Sequence, residues 1–220
     1  MEHIVENIKE IKKTLREGVL LVAVTKTHTP EEINVAIDGG ITDIGENKVQ
    51  EILDKYDLVK PVKWHLIGHL QTNKVKYIID KVSMIHSVDS YKLAKEIQKR
   101  AKNAGITMDI LIQVNSAEEE SKFGVSLEET KNLINEILET CPNINIKGLM
   151  CIAPFESDTE NVREYFEAVR KQYDEYKNIE HPNLEFKYLS MGMSHDYIVA
   201  MDEGSNLVRV GSAIFGRRVY

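Results

Sequence analysis

The chain has 220 residues, of which 42% are hydrophobic and 29% are charged, and its formal net charge is −7. This composition is typical of a soluble protein, and we expect one domain over residues 1–220. The negative charge argues against nucleic acid or an anionic membrane as a general partner. The two cysteines make neither a disulfide framework nor a metal motif, and no apolar stretch approaches the roughly 20 residues of a membrane span. We therefore expect a cytoplasmic protein.

Apolar runs and amphipathic stretches alternate along the chain. The first stretch, about Glu2 to Arg16, has the charge pattern of an amphipathic helix and not of a signal peptide. The predicted strands are Leu20–Val24, Asp43–Gly45, Val62–Ile67, Ser83–His86, Met108–Val114, Ile144–Leu149, Phe186–Leu189 and Leu207–Val210. The helices predicted between them are Pro30–Asp38, Asn47–Tyr56, Asn73–Ile79, a helix capped by Ser90 that runs through Ala104, Leu127–Thr140, Asn161–Tyr176 and Tyr197–Asp202.

Eight strands that alternate with helices, without a linker or a low-complexity stretch, predict an α/β fold. The leading candidate is a single (β/α)8 TIM barrel with an extra N-terminal helix. A doubly wound open sheet is the second choice. Neither the Gly-x-Gly-x-x-Gly turn nor the Walker loop that such sheets use for nucleotides occurs in the sequence.

A single lysine ends the first predicted strand. The run from Gly18 to Val24 is almost wholly apolar, which predicts a strand buried on both faces, as in a parallel sheet. Thr29 then caps a helix whose first residue is Pro30, so Lys26 lies in the loop at the carboxyl end of the strand. A strand-end lysine is often only the point where the chain returns to solvent. In α/β barrels, however, this end carries the active site, so Lys26 is a candidate functional residue.

The loops after the seventh and eighth strands are where (β/α)8 barrels commonly bind phosphate. The first of these loops is Ser190–Asp196, and the second is Gly211–Ala213. Backbone N–H groups and hydroxyls in such loops can hold an anion. Serine and glycine are also ordinary turn residues. The presence of two such loops at the expected positions nevertheless favours a phosphate site.

A strand-end lysine opposite a phosphate site favours a phosphorylated aldehyde or ketone held as a Schiff base. Two ligand classes fit, namely pyridoxal 5′-phosphate (PLP) and a sugar phosphate, as in lysine-dependent aldolases. A zinc site at His65 and His69 is disfavoured, because their spacing suits zinc on a helix and this segment is predicted as strand and loop. Arg209 lies in an apolar strand and needs a carboxylate or a ligand as its partner. Asn47 is a candidate helix cap.

Five motifs resemble those of the pyridoxal phosphate homeostasis protein family, and they follow the family's order across nearly the whole chain. They are Val22–Lys26, Gly45–Glu51, Trp64–Lys74, Ser190–Asp196 and Val208–Gly216. The resemblance implies the barrel fold of the N-terminal domain of alanine racemase and PLP as the cofactor. It also implies a role in intracellular PLP homeostasis, by buffering or delivery of the cofactor, without an established catalytic turnover.

The resemblance also implies roles for individual residues. Lys26 resembles the family's Schiff-base lysine, Arg209 the arginine beside the pyridine nitrogen, and Asn47 a residue that lines the cofactor. The residues that match the family's phosphate-binding segments are Ser190, Gly192, Met193, Ser194, Gly211 and Ser212. The family often has threonine at the position of Ser212, and the hydroxyl is kept.

The alternative to a carrier is a PLP-dependent enzyme similar to an amino-acid racemase. Alanine racemases continue into a second domain that supplies a tyrosine base, whereas this chain ends at Tyr220, ten residues after the eighth predicted strand. We therefore expect a monomeric PLP carrier, not an enzyme, with PLP-dependent apoenzymes as its partners. A sugar-phosphate aldolase that uses Lys26 without a cofactor is a third alternative.

Overall fold

A computed structural model describes residues 1–118, 122–156 and 158–216. Among these residues, eight parallel strands close into a barrel in chain order, and the last strand pairs with the first. Helices follow the strands on the outside of the barrel, and one further helix precedes the first strand. The predicted (β/α)8 barrel with an extra N-terminal helix is confirmed.

The elements follow the chain without crossing. The strands are β1 Leu20–Val24, β2 Asp43–Glu46, β3 Lys63–Leu66, β4 Met84–Val88, β5 Met108–Val114, β6 Ile144–Cys151, β7 Leu184–Ser190 and β8 Leu207–Val210. The α-helices are α1 Glu2–Thr14, α2 Pro30–Asp38, α3 Val49–Lys55, α4 Tyr91–Ala104, α5 Leu127–Thr140, α6 Arg163–Tyr176, α7 Tyr197–Asp202 and α8 Ser212–Phe215. Short 3₁₀ helices cover Thr72–Tyr77 and Thr159–Val162.

Helix α2 begins where its sequence predicts. The Thr29 hydroxyl accepts a hydrogen bond from the Glu32 N–H, the Glu32 carboxylate accepts one from the Thr29 N–H, and Pro30 is the first helical residue. This capping box satisfies donors that the first turn of a helix leaves without partners. The loop that contains Lys26 therefore lies between a buried strand and a firmly capped helix.

Strand β7 is longer than predicted. It runs through Ser190, because Ser190 pairs with Met150 of β6 and with Leu207 of β8. Ser190 is therefore a strand residue and not the first residue of the following loop, which changes the direction of its side chain relative to the predicted phosphate site.

The interpretation of Asn47 as a helix cap is wrong. Helix α3 begins at Val49, and Lys48 occupies its N-cap position without a side-chain capping bond. The main chain of Asn47 is instead packed tightly against Gly68, where an added Cβ atom would lie 2.3 Å from the Asn47 carbonyl oxygen. Glycine at position 68 thus allows the loops after β2 and β3 to approach each other closely.

Successive strand residues face alternately toward the helices and toward the barrel interior. The helix-facing residues form the large apolar core, to which Ile44, Ile85 and other fully buried side chains belong. The alternate residues Met84, Leu111 and Met150 form a separate apolar cluster. The barrel interior is therefore filled by side chains, and polar groups inside it must find their partners among neighbouring strands.

Two further expectations concern membranes and cysteines. No helix in the described ranges is long and apolar enough to cross a membrane. Cys141 and Cys151 are both buried as free thiols, which agrees with the prediction that the cysteines form no disulfide framework.

Candidate functional site

Lys26 follows β1 at the carboxyl end of the barrel, and charged side chains hold the backbone on both sides of it. On one side, the Lys55 ammonium donates to the Thr25 carbonyl over 3.0 Å. On the other side, the Thr27 N–H donates to a Glu51 carboxylate oxygen over 2.6 Å, and Thr27 adopts a left-handed φ of 69°. A β-branched residue rarely adopts this φ. The contacts therefore fix the loop in a conformation that the chain alone disfavours.

These contacts belong to a charged cluster of the buried residues Lys55 and Glu46 and the partly exposed Glu51. Lys55 Nζ lies 2.9 Å from Glu46 Oε1 and 2.8 Å from Glu51 Oε2, and the Thr25 hydroxyl donates to Glu46 Oε1 over 2.7 Å. Burial raises the pKa of the fully buried Glu46, although Lys55 and Thr25 oppose the rise. Glu46 Oε2 has no hydrogen-bond partner in the described part of the chain. The cluster ties β1, β2 and α3 together beside Lys26.

The two predicted phosphate loops meet at Ser194. Its hydroxyl oxygen accepts hydrogen bonds from the backbone N–H groups of Gly211, over 3.1 Å, and Ala213, over 3.2 Å. The hydroxyl proton is therefore directed away from both N–H groups and can be donated to an anion. Gly192 in the same loop has a φ of 90°, and a Cβ atom on it would lie 2.7 Å from the Cα atom of Tyr197. Only glycine fits this position.

Met193 and Ser212 lie in these loops as well. The Met193 N–H donates over 2.6 Å to Oδ1 of Asp196, a side chain in its own loop. An anion could receive this N–H only if Asp196 released it. Ser212 is exposed at the start of α8. Contacts of Met193 and Ser212 with phosphate stay predictions.

Arg209 points into the barrel and is only 3% exposed. Its Nη1 donates to the Ser190 hydroxyl oxygen, and its Nη2 donates to the Cys151 carbonyl over 2.9 Å. Burial lowers the pKa of Arg209 and the Asp196 carboxylate opposes this effect; a guanidinium group stays charged in proteins. The Ser190 hydroxyl is thus bonded to Arg209, inside the barrel. This placement does not support the predicted contact of Ser190 with phosphate.

Strands β1 and β8 are neighbours, which brings the predicted site residues to one end of the barrel. Val22 of β1 pairs with Arg209. A Cβ atom on Gly211 would lie 3.2 Å from Cβ of Val24, two residues before Lys26. The structure thus places the strand end of Lys26, the Gly211 loop and Arg209 next to one another. Asn47 lies in the loop after β2, the other neighbour of β1.

His65 and His69 point to different surroundings. His65 Nε2 is hydrogen-bonded to Asp43 Oδ1 over 2.8 Å inside the barrel, whereas the His69 ring stacks on Phe123 with 3.8 Å between centroids. No group of three or more His, Cys, Asp or Glu side chains in the described ranges is placed to hold a metal ion.

Sequence reasoning missed Lys55, Asp43 and His86 as residues that support the site. Asp43 and His86 are polar residues in apolar strands, and such residues need buried partners. Lys55 follows Glu51 by four residues on a helix, which is the spacing of a helical ion pair. These signals were present, but none of them indicates the contact of Lys55 with the carbonyl of Thr25.

The family model described as "Alanine racemase, N-terminal domain" matches residues 1–219. The fold and this match define the class, a barrel of the alanine racemase N-terminal type. A curated relative, "Pyridoxal phosphate homeostasis protein" of Aquifex aeolicus, is 46% identical over 202 residues, which are 91% of this chain and 87% of the relative. The chain belongs to the pyridoxal phosphate homeostasis protein family.

Solved structures agree with this assignment. PipY of Synechococcus elongatus, solved without PLP and with PLP bound, is 31% identical and gives TM-scores of 0.90 and 0.87, over 97% of this chain and 100% of PipY. Alanine racemase of Clostridium difficile gives a TM-score of 0.75 at 16% identity, over 100% of this chain and 61% of the racemase. The latter likeness shows the fold alone.

Proposed function

We propose that this protein binds PLP at the carboxyl end of the barrel, holds it as a Schiff base on Lys26, and serves in intracellular PLP homeostasis by buffering or delivering the cofactor. One observation carries the proposal: a Cβ atom on Gly211 would lie 3.3 Å from the carbonyl oxygen of Val24, which is two residues before Lys26. The end of β1 that leads into the Lys26 loop therefore lies beside the Gly211 loop. The PLP-bound structure of PipY and the names of the curated relatives support the same ligand.

The residues present fit the chemical parts of PLP. The aldehyde requires an amine, which Lys26 supplies. The phosphate requires hydrogen-bond donors, which the hydroxyls of Ser194 and Ser212 supply, while the main chain at Gly211 holds the Ser194 oxygen in place. The pyridine nitrogen accepts a hydrogen bond, and the Arg209 guanidinium can donate one. When bound, PLP supplies a reactive aldehyde and an electron-withdrawing ring.

The remaining predicted contacts are assigned different roles. Gly192 lets the first phosphate loop pass close to α7, since a side chain there would clash. Asn47 and Met193 line the cofactor from the loops after β2 and β7. Ser190 orients Arg209 and does not bind the phosphate, because its hydroxyl oxygen accepts the hydrogen bond of Arg209 Nη1.

A carrier role is favoured over catalysis by the charge at the ring nitrogen. Carbanion chemistry on PLP depends on a protonated ring, which a neighbouring cation opposes. Arg209 is a permanent cation whose two hydrogen-bond partners, Ser190 and the Cys151 carbonyl, are uncharged. The curated relatives are named homeostasis proteins and not racemases. The proposal therefore includes a monomeric cytoplasmic protein without turnover on amino acids, whose partners are PLP-dependent apoenzymes.

The test is a transfer experiment with the purified, PLP-loaded protein. After removal of free PLP, the loaded protein is mixed with the apo form of a PLP-dependent enzyme, and the recovery of that enzyme's activity is followed. Recovery faster than spontaneous release into buffer supports delivery, and recovery at the rate of release supports buffering alone. A protein that retains no PLP after desalting would contradict both.

A further inference from the structure

A chain of hydrogen-bonded side chains crosses the barrel interior and ends at Arg209. Asp43 Oδ1 lies 2.8 Å from His65 Nε2, His65 Nδ1 lies 2.9 Å from His86 Nε2, and His86 Nδ1 lies 3.3 Å from the Ser190 hydroxyl oxygen. Ser190 in turn accepts the hydrogen bond of Arg209 Nη1. All five residues are at most 3% exposed. This hydrogen-bond chain connects side chains on four strands to Arg209 on a fifth. Three of its residues, Asp43, His65 and His86, have no predicted contact with the cofactor.

The two ends of the chain determine the direction of its hydrogen bonds. A guanidinium group can only donate, and a carboxylate can only accept. Burial raises the pKa of Asp43, but hydrogen bonds from His65 and Thr42 outweigh burial and hold the pKa below its ordinary value. Asp43 is therefore a carboxylate at neutral pH, and His65 Nε2 must carry a proton to bond with it.

With both imidazoles neutral, one proton arrangement satisfies every link. Ser190 donates its hydroxyl proton to His86 Nδ1, His86 donates from Nε2 to His65 Nδ1, and His65 donates from Nε2 to Asp43. Both imidazoles are then neutral, and one cation at Arg209 is matched by one anion at Asp43. A protonated His65 would require His86 to donate to Ser190, and the hydroxyl proton of Ser190 would lose its acceptor in the chain.

Electrostatics favour the same arrangement. Burial lowers the pKa of the fully buried His86 well below its ordinary value, and the nearby Arg209 cation acts in the same direction. A second cation at His65 would leave two positive charges and one carboxylate in the chain. Such an excess of buried charge is unfavourable in the barrel interior.

The Asp43 end of the hydrogen-bond chain lies at the opposite end of the barrel from Lys26. Asp43 is the first residue of β2, and with His65 it lines a cavity of about 290 Å³. Residues at or near the starts of other strands, such as Leu20 and Lys63, line the same cavity. The carboxylate that ends the hydrogen-bond chain is thus located at the amino-terminal end of the barrel, away from the proposed cofactor.

We propose that Asp43, His65 and His86 are positioning residues for Arg209, which they orient and balance electrostatically through a one-way hydrogen-bond chain that runs from Arg209 to Asp43. This inference rests on the proposed function in one respect, namely that Arg209 contacts the ring nitrogen of PLP. Within this hydrogen-bond chain the balancing anion, Asp43, is four hydrogen bonds away from Arg209, whereas the Asp196 carboxylate acts on Arg209 through its charge alone.

The first test uses the protein without PLP and is independent of the proposed function. Long-range ¹H–¹⁵N NMR spectra of the histidine side chains report the tautomer of each imidazole, and His65→Gln and His86→Gln variants assign two signals among the seven histidines. Neutral Nε2–H tautomers for both residues at neutral pH are expected. An imidazolium pattern or an Nδ1–H tautomer at either residue would overturn the one-way chain.

The second test measures the effect on the cofactor with ¹⁵N-labelled PLP. Asp43→Asn keeps the shape and removes the charge, and Ser190→Ala removes the contact with Arg209. Both should change the ¹⁵N shift of the ring nitrogen and weaken PLP binding about tenfold, as expected for the loss of one hydrogen bond. Ser87→Ala is the matched control, because this buried hydroxyl in β4 has no hydrogen-bond partner in the described chain.

The outcomes separate the two proposals. If wild-type protein does not bind PLP, the proposed function fails, while the tautomer measurement still decides the hydrogen-bond chain. If wild-type protein binds PLP and the Asp43 and Ser190 variants have the same ring-nitrogen shift as Ser87→Ala, the positioning role is overturned. Thermal unfolding of each variant identifies one that does not fold, and the His86→Gln variant then replaces it.

Discussion

The Nζ atom of Lys55 lies 3.0 Å from the carbonyl oxygen of Thr25, the residue directly before Lys26. Lys55 is 8% exposed and also contacts the carboxylates of Glu46 and Glu51. A lysine buried to this extent is stable as a cation only if it is paired. The ion pairs of Lys55 with Glu46 and Glu51 therefore accompany the contact that fixes the backbone before Lys26.

Removal of Lys55 should strongly destabilise the protein. The Lys55→Met variant leaves the fully buried Glu46 without its cationic partner, which should lower the free energy of unfolding by about 3–5 kcal/mol. Denaturant unfolding measures this change. The control is Lys48→Met at an exposed position of the same segment, which should change it by less than about 0.5 kcal/mol. Adding Glu46→Gln to Lys55→Met should recover part of the loss, and a double variant less stable than Lys55→Met would contradict the pairing.

Lys26 should be the residue that becomes covalently attached to PLP. Borohydride reduction of the loaded protein followed by peptide mass spectrometry should place the pyridoxyl group on Lys26, because the end of β1 that leads to Lys26 lies beside the Gly211 loop. The Lys26→Ala variant should lose the visible absorption of the Schiff base, while the exposed Lys48→Ala control keeps it. A label found on another lysine, with Lys26 unmodified, would refute this assignment.

Ser194 should contribute strongly to phosphate binding. Its oxygen already accepts two backbone N–H groups, so its proton is available to the anion. The Ser194→Ala variant should lose about 1.5–3 kcal/mol of PLP binding, or roughly one to two decades in affinity, as for a hydrogen bond to a charged group. Titrations with PLP and with pyridoxal measure this effect, since only PLP carries phosphate. The control is Ser83→Ala, an exposed serine next to β4 at the other end of the barrel. Equal affinities of wild-type protein for PLP and pyridoxal would rule out the phosphate site.

The contribution of Asp43 to stability should depend on pH. In the folded protein, burial raises the pKa of Asp43, but the hydrogen bonds from His65 and Thr42 lower it further, so the net pKa lies below its ordinary value of 3.8. The stabilisation is therefore fully present above about pH 3.8 and is lost as the pH falls through the folded-state pKa. Asp43→Asn should be less stable than wild type at neutral pH, with a difference that shrinks on acidification. Denaturant unfolding at a series of pH values checks this, and a difference that is constant with pH would contradict it.

The loaded protein should not process amino acids at enzymatic rates. Incubation with a panel of L-amino acids in deuterated water, followed by NMR of the α-proton signal, measures proton exchange at the carbon that a racemase attacks. Exchange should stay below enzymatic rates, because the Arg209 cation opposes protonation of the ring and so makes it a weaker electron sink. The Lys26→Ala variant provides the background. Exchange on the order of 1 s⁻¹ or faster, within the usual range of enzymes, would establish the racemase-like alternative.

The element pattern of this protein is local and could be predicted from the sequence. The apolar run before Lys26 and the Thr29–Pro30 helix start are decided by neighbours a few residues apart, through burial, capping and proline geometry. The alternation of such segments implies the barrel. The resemblance of the motifs to the family added PLP as the predicted ligand and the Schiff base as the predicted role of Lys26.

The partners of buried polar side chains were decided only by the tertiary structure. Ser190 was predicted to contact phosphate, but β7 continues through it, and its hydroxyl oxygen accepts a hydrogen bond from Arg209 of β8. Lys55 reaches the Thr25 carbonyl from a helix thirty residues away in the chain. A period of two residues tells which side chains point inward. It does not tell which inward side chains meet, because that depends on the register and closure of all the strands together.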